Sequence, residues 1–446
     1  MRDFSYFCTM AGIYIHIPFC NSKCAYCGFY SLPSLKLKER FLEALKAEIV
    51  DRKQYLQRGP HCELDPQIAI RRCEASQSPA PKGNHGMPTI NTIYFGGGTP
   101  SLLSIKEIGE LLHLINTHYP VAPNAEITLE ANPDTLSLEY LKGLRQIGFN
   151  RLSIGIQSFF DNDLKYLSRR HDSQHARQCI DWAKQAGFSN ISIDLIYGLP
   201  TSDAEQWNKN LDIFFAYGLH HFSAYALTLE PNAILTKQIE LGKVPPVNEE
   251  DALRDYEILC NRAAENGFLH YEISNFCRCG MHSKHNSSYW FGTPYIGFGP
   301  SAHSYDGISR QWNVSNVEMY CDCLSAASRH CEERSNPDNT LSSLDCFVVP
   351  PRNDAKRVQN SVSEVEQLTL EQQYDEYVML RLRTHWGIDL KWLKREMGER
   401  FSCYCEKQAK SLIVQGRLTQ TREFLYLTDQ QMLFADSVAE ELFWES

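Results

Sequence analysis

Six short apolar runs, each followed by an amphipathic stretch, limit how this chain can fold. They are Ile13–Ile17, Thr92–Phe95, Glu126–Ala131, Arg151–Gly155, Asn190–Leu195 and His221–Ala226. Each has the length and β-branched or aromatic content of a buried strand. The stretches between them repeat with helical period. Leu37–Leu56, for instance, places Phe41, Leu42, Leu45 and Ile49 on one face. Ile105–Tyr119, Leu138–Ile147, the segment up to Ala186 and the segment through Tyr217 read the same way. Strands that alternate with helices form βα units, so an α/β protein with a parallel sheet is expected. The unusual polar and glycine residues gather at the C-terminal ends of these strands: a cysteine loop, Gly96–Gly98, Glu130, Gln157 and Asp194. In a barrel of parallel strands those ends assemble the site.

The first strand runs through Pro18 into Cys20, Cys24 and Cys27, a Cys-x3-Cys-x2-Cys loop. Three thiols set so closely can face one point. A structural zinc site is closed by four ligands, usually from two separated pairs, and zinc here needs a distant fourth. A cubane iron–sulfur cluster held by three thiolates leaves one iron open to an outside chelator. The amino and carboxylate groups of a methionine suit that position.

With Tyr26 directly before the last cysteine, this spacing resembles the signature of the radical S-adenosylmethionine (SAM) superfamily. The resemblance implies a [4Fe-4S] cluster on Cys20, Cys24 and Cys27. It also implies SAM on the open iron, and one-electron cleavage of SAM to a 5′-deoxyadenosyl radical. The implied fold is an open partial (β/α)6 barrel. Gly96–Gly98 resembles the superfamily loop that meets the SAM amino group, because glycine lets backbone approach a ligand. Glu130–Pro133, Arg151–Phe159 and Asp194–Pro200 resemble the oxygen-independent coproporphyrinogen oxidase branch. By that resemblance Tyr14, Glu130, Gln157, Arg169 and Asp194 contact SAM, with Tyr26, Gly97, Gly98 and Thr99 completing the cofactor-binding set.

Two features divide the branch. The oxidase carries a further cysteine two residues after the third cluster cysteine, where this chain has Phe29. His285–Trp290 matches the His-Asn-x-x-Tyr-Trp motif of HemW-type haem chaperones. A neutral imidazole ligates haem iron, and flanking aromatic rings stack on a macrocycle. His285 is thus the expected haem ligand, with His282, His303 and the Cys277/Cys279 pair as rivals. The resemblance implies haem as cargo, a haem-acceptor protein, an electron donor if SAM is cleaved, and possible membrane contact only through the acceptor. The assembly is a monomer or dimer. Radical oxidative decarboxylation of coproporphyrinogen III is the alternative.

The balance of charge agrees. The 446 residues carry 54 acidic against 44 basic side chains, a net charge of −10, which opposes a grip on phosphate backbones; no nucleic-acid partner is expected. Sixteen cysteines in a chain this long, without a signal-peptide pattern or 18 consecutive apolar residues, point to the reducing cytoplasm. Met10 is a second candidate start.

Five parts are expected: an N-terminal extension (1–11), the barrel (12–235), a flanking region (236–320), an insert (321–361) and a C-terminal unit (362–446). A further insert, 59–88, interrupts the barrel. Both inserts are aperiodic, rich in Pro, Ser and charge, and share Arg-x-Cys-Glu-x4-Pro (Arg71–Pro79 and Arg329–Pro337). The last part reads as helices followed by a hairpin, a small winged-helix-like α+β domain.

Overall fold

The computed structural model describes residues 10–28, 30–57, 87–334 and 362–445. Residues 58–86, which hold all but the last two residues of the expected 59–88 insert, the stretch 335–361, residues 1–9, Phe29 and Ser446 lie outside the described residues.

The six expected strands are present and consecutive: β1 (Met10–Ile17), β2 (Thr89–Gly97), β3 (Val121–Ala131), β4 (Arg151–Gln157), β5 (Asn190–Tyr197) and β6 (His221–Ala226). Each pairs in parallel with the next. Helices cover their outer side, where Ile13, Ile15 and Ile17 of β1 and Ile191, Ile193 and Leu195 of β5 join the apolar core, and the residues between them turn inward. Most covering helices start on a side-chain cap. Ser104 and Glu107 form a capping box, while Ser137, Asp172 and Asp203 cap the next three long helices. Such caps satisfy amides that a helix start leaves unpaired.

The flanking region does more than flank. The chain after β6 adds β7 (Leu269–Glu272) and β8 (Asn275–Cys277) beside β6. It then crosses to add β9 (Tyr295–Phe298), β10 (His303–Tyr305) and β11 (Ser309–Asn313) beyond β1. With β12 (Ser363–Gln367) the sheet has twelve strands and two edges, β12 and β7. It is an open, partial barrel. β9 runs parallel to β1, and β10–β12 are antiparallel to their neighbours.

Three boundaries differ from expectation. Met10 and Ala11 belong to β1, because Met10 pairs with Thr89 and Ala11 with Ile90. The insert expected from Cys321 starts inside a helix, Val317–Arg334, whose Tyr320, Cys321 and Leu324 are buried against the barrel core. β12 belongs to the large sheet, so the C-terminal unit starts after Gln367. That unit has its own core around Tyr374, Leu393, Phe401 and Leu425 and a three-stranded sheet, β13 (Ile388–Asp389), β15 (Phe424–Tyr426) and β14 (Thr419–Gln420). It meets the barrel at the β7–β8 hairpin: Ile273 N–H donates to Arg383 O at 2.9 Å, and His385 N–H to Tyr271 O at 3.1 Å.

Candidate functional site

The cysteine loop is held by backbone, independently of its thiols. Cys20 N–H donates to Leu32 O at 3.0 Å and Ala25 N–H to Leu167 O at 3.3 Å, while Ala25 O accepts from Leu235 N–H at 2.8 Å. β2 extends further than its apolar run suggests, since Gly96 and Gly97 pair with His16 and Ile17. Gly98 then passes against the loop, with its N–H on Ile17 O at 2.8 Å and Thr99 N–H on Phe19 O at 2.7 Å. A Cβ on Gly98 would lie 2.5 Å from Phe19 O, so only glycine allows this approach.

One polar chain then joins two of the thiols. Thr99 Oγ1 donates to Cys20 Sγ at 3.4 Å and accepts from Asn132 Nδ2 at 3.0 Å. Asn132 Oδ1 accepts from Arg169 Nη2 at 2.6 Å, and Arg169 Nη1 donates to Cys24 Sγ at 3.3 Å. Arg169 Nη2 also reaches Gly155 O at 2.7 Å. Donors on sulfur favour the thiolate and are among the means by which a protein tunes a bound iron–sulfur cluster. None of the three cysteines is in a disulfide, and all are partly accessible. Among the described residues, no three His, Cys, Asp or Glu side chains are placed to hold a single metal ion. The thiols are therefore not drawn around one ion. In a cubane each thiolate takes a different iron, and it is the Thr99 and Arg169 donors on two of the sulfurs that suit the loop to such a cluster.

Below the loop, the barrel interior gathers the other expected residues. Glu130 Oε1 accepts from Tyr94 OH at 2.7 Å and Oε2 from Gly97 N–H at 3.2 Å. Burial pushes its carboxyl up to about 7, and the nearby Asp194 charge adds to this. Asp194 is raised to about 6, again first by burial, although the Ser223 and Ser153 hydroxyls and two arginines oppose the rise. Both side chains are partly open to the interior cleft yet deep enough for lost solvation to dominate. Gln157 ends β4 with φ 67°, a left-handed backbone that costs a non-glycine residue about 1–3 kcal/mol. Its amide turns back towards Gly155, where a Cβ would lie 2.8 Å from Gln157 Nε2 and 3.3 Å from both Arg169 Nη2 and Asn132 Oδ1. Tyr14 OH meets His16 Nδ1 at 3.2 Å, and its ring stacks on Tyr94 at 6.2 Å. The Tyr26 hydroxyl is held well above its ordinary pKa, chiefly by burial, within the field of Arg169, Cys24, Cys27 and Asp194.

Comparison with known proteins follows this geometry. Residues 82–213 match the radical SAM superfamily and residues 368–434 the HemN C-terminal domain. The chain is 30% identical to the haem chaperone HemW of Mycobacterium tuberculosis (strain ATCC 25618 / H37Rv) over 97% of its own length and 94% of that protein. It is 31% identical to HemW of Bacillus subtilis (strain 168), over 96% and 98%. The chain belongs to the HemW family of the radical SAM superfamily. Its fold matches that of coproporphyrinogen III oxidase (HemN) from Escherichia coli with a TM-score of 0.72, at 20% identity, covering 97% of this chain and 90% of that one.

Within the His285–Trp290 motif, His285 is the buried residue and the other five are half-buried. His285 is 1% exposed and stacks on Tyr94 at 4.9 Å. Its Nδ1 meets Thr92 Oγ1 at 2.8 Å and its Nε2 meets Tyr289 OH at 2.8 Å. Burial, then the Arg151 charge, pulls the imidazole down to about 3, so it is neutral. A haem ligand needs one ring nitrogen free, and in this arrangement His285 has neither. Among its rivals, His303 is exposed on β10, and Cys277 is buried while Cys279 is exposed. His282 packs between Tyr271 at 4.9 Å and Trp386 of the C-terminal unit at 5.6 Å.

The sequence reading missed two residues. Asn132 lies inside the Glu130–Pro133 motif at the end of β3, and that position was the available signal. Glu48 sits on a helix whose apolar face gave no hint that a carboxylate is fully buried there.

Proposed function

We propose that this chain is a cytoplasmic haem chaperone that holds a [4Fe-4S] cluster through Cys20, Cys24 and Cys27, binds SAM beside it, and passes haem to an acceptor protein. Two proteins similar over nearly their whole length bear the name haem chaperone, and that supports the cargo. The observation that carries the cofactor reading is the Cys20–Thr99–Asn132–Arg169–Cys24 chain, which aims two donors at two sulfurs. Bound there, the cluster and SAM would supply one-electron chemistry. The chain's own part is to hold them. Thr99 and Arg169 would support the thiolates, Glu130 would accept from ribose hydroxyls, and Gln157 and Asp194 would line the adenosine. Tyr14, Tyr26, Gly97 and Gly98 would close the walls. Among the described residues no helix is long and apolar enough to cross a membrane.

Two assays test this. In a haem titration followed by the Soret band, His282→Ala should weaken binding, because His282 lies where barrel and C-terminal unit meet. His285→Ala should change it only indirectly, through the lost Thr92 and Tyr289 contacts. If His285→Ala alone removes the band shift, then His285 turns outward to bind iron and the ranking is reversed. Incubation of reconstituted protein with coproporphyrinogen III, SAM and a reductant should yield no protoporphyrinogen. Turnover would establish the oxidase in place of the chaperone.

A further inference from the structure

Arg151 is 1% exposed, and its Nε and Nη1 find no hydrogen-bond partner among the described residues. Thr128, its lateral neighbour in the β3–β4 register, is fully buried, and its Oγ1 likewise has no partner. The guanidinium acts electrostatically on Tyr94 of β2, Glu130 of β3, Asp194 of β5, His221 of β6, Tyr271 of β7 and His285 of the following helix. Groups on so many wall elements feel it only because it lies inside the barrel.

A buried cation is retained when it is paired or hydrogen-bonded. Glu130 and Asp194 are close enough to interact with Arg151, but the hydrogen bonds their carboxylates accept come from Tyr94 OH, Gly97 N–H and Ser153 OH. Arg151 therefore keeps Nε–H and Nη1–H unpaired among the described residues, with the Thr128 hydroxyl on the neighbouring strand. An anionic oxygen such as a carboxylate's would satisfy such an unpaired, charged donor. The site is separate from Arg169. Gly155, whose carbonyl anchors Arg169 next to Cys24, is four residues further along β4, or about 13 Å at the rise of a parallel strand.

We propose that Arg151, with Thr128, binds a propionate carboxylate of a tetrapyrrole lowered into the barrel beneath the cysteine loop. This rests on the haem reading above and names the group recognised. The clustered rings of Tyr14 and Tyr94 supply aromatic surface in the same interior.

The test uses the full chain, reconstituted anaerobically, titrated in parallel with haem and with haem dimethyl ester. The unmodified protein should bind the diacid at least about tenfold more tightly than the ester, about one charge-assisted bond's worth. Arg151→Gln should abolish that preference, and Arg151→Lys should restore part of it. Thr128→Val should reduce it less. Equal binding of acid and ester by the unmodified protein overturns the site and leaves haem binding standing, and that comparison does not depend on a variant folding. Binding of neither porphyrin overturns both. If Arg151→Gln instead weakens SAM and spares haem, the carboxylate belongs to SAM, and the tetrapyrrole assignment falls.

Discussion

Cys24→Ser should emerge from anaerobic reconstitution folded but without its cluster. Three thiolates carrying a cubane correspond to about four irons per chain, and losing one of three leaves too few ligands to retain it. The loop itself should survive, since Cys20, Ala25 and Leu235 fix it through backbone hydrogen bonds that no thiol takes part in. A serine hydroxyl can still accept from Arg169 but is a poor ligand for iron. Iron analysis and the cluster absorbance read the outcome, with the exposed Cys279→Ser as control, expected to keep its iron. Equal iron in both variants would remove the three-cysteine assignment. A single tetrahedral zinc in the unmodified protein would remove it as well.

The second large effect is on stability. Glu48 is fully buried, and its carboxylate accepts four bonds. Arg52 Nη1 and Asn313 Nδ2 reach Oε1, each at 2.8 Å; Gly299 N–H at 2.8 Å and Tyr320 OH at 2.6 Å reach Oε2. Arg52 in turn donates to Gly297 O at 2.8 Å and Gln311 Oε1 at 3.1 Å. This pair thus ties the helix Lys38–Asp51 to β9, to β11 and to the helix carrying Tyr320. Removing one partner of a buried ion pair leaves the other charged and unmatched, at a cost of about 3–5 kcal/mol. Glu48→Ala should therefore lower the denaturant midpoint strongly. Glu48→Gln, which keeps shape and part of the bonding, should lower it less. A loss below about 1 kcal/mol, the level of an exposed pair, would mean that the network is not what fastens β9 to the barrel.

Much of this architecture was legible in the order of residues. The parallel strands announce themselves because the face packed on the covering helices must be apolar, so Ile13, Ile15 and Ile17 of β1 and Ile191, Ile193 and Leu195 of β5 recur at every second residue. Glycines and cysteines at strand ends mark the site for a related reason: nothing in a parallel core explains them. The strands after β6 were not legible. β7 and β8 are only four and three residues long, and their pairing is decided by β6, a distant edge. The helix that runs past Cys321 was hidden because its apolar face, Tyr320, Cys321 and Leu324, ends where a repeated polar motif begins.

The sequence by itself determined the strand–helix alternation, the clustering of chemistry at the strand ends and the three-thiol loop, since each depends on neighbours a few residues apart. Only the tertiary structure decided that His285 is enclosed with both nitrogens bonded, that Asn132 links Thr99 to Arg169, and that Arg151 faces the barrel interior with donors to spare. Those outcomes depend on side chains from strands tens to hundreds of residues apart meeting at one level of the barrel. Hydrogen-bond satisfaction at such a meeting is a property of the packed interior, and no local pattern encodes it.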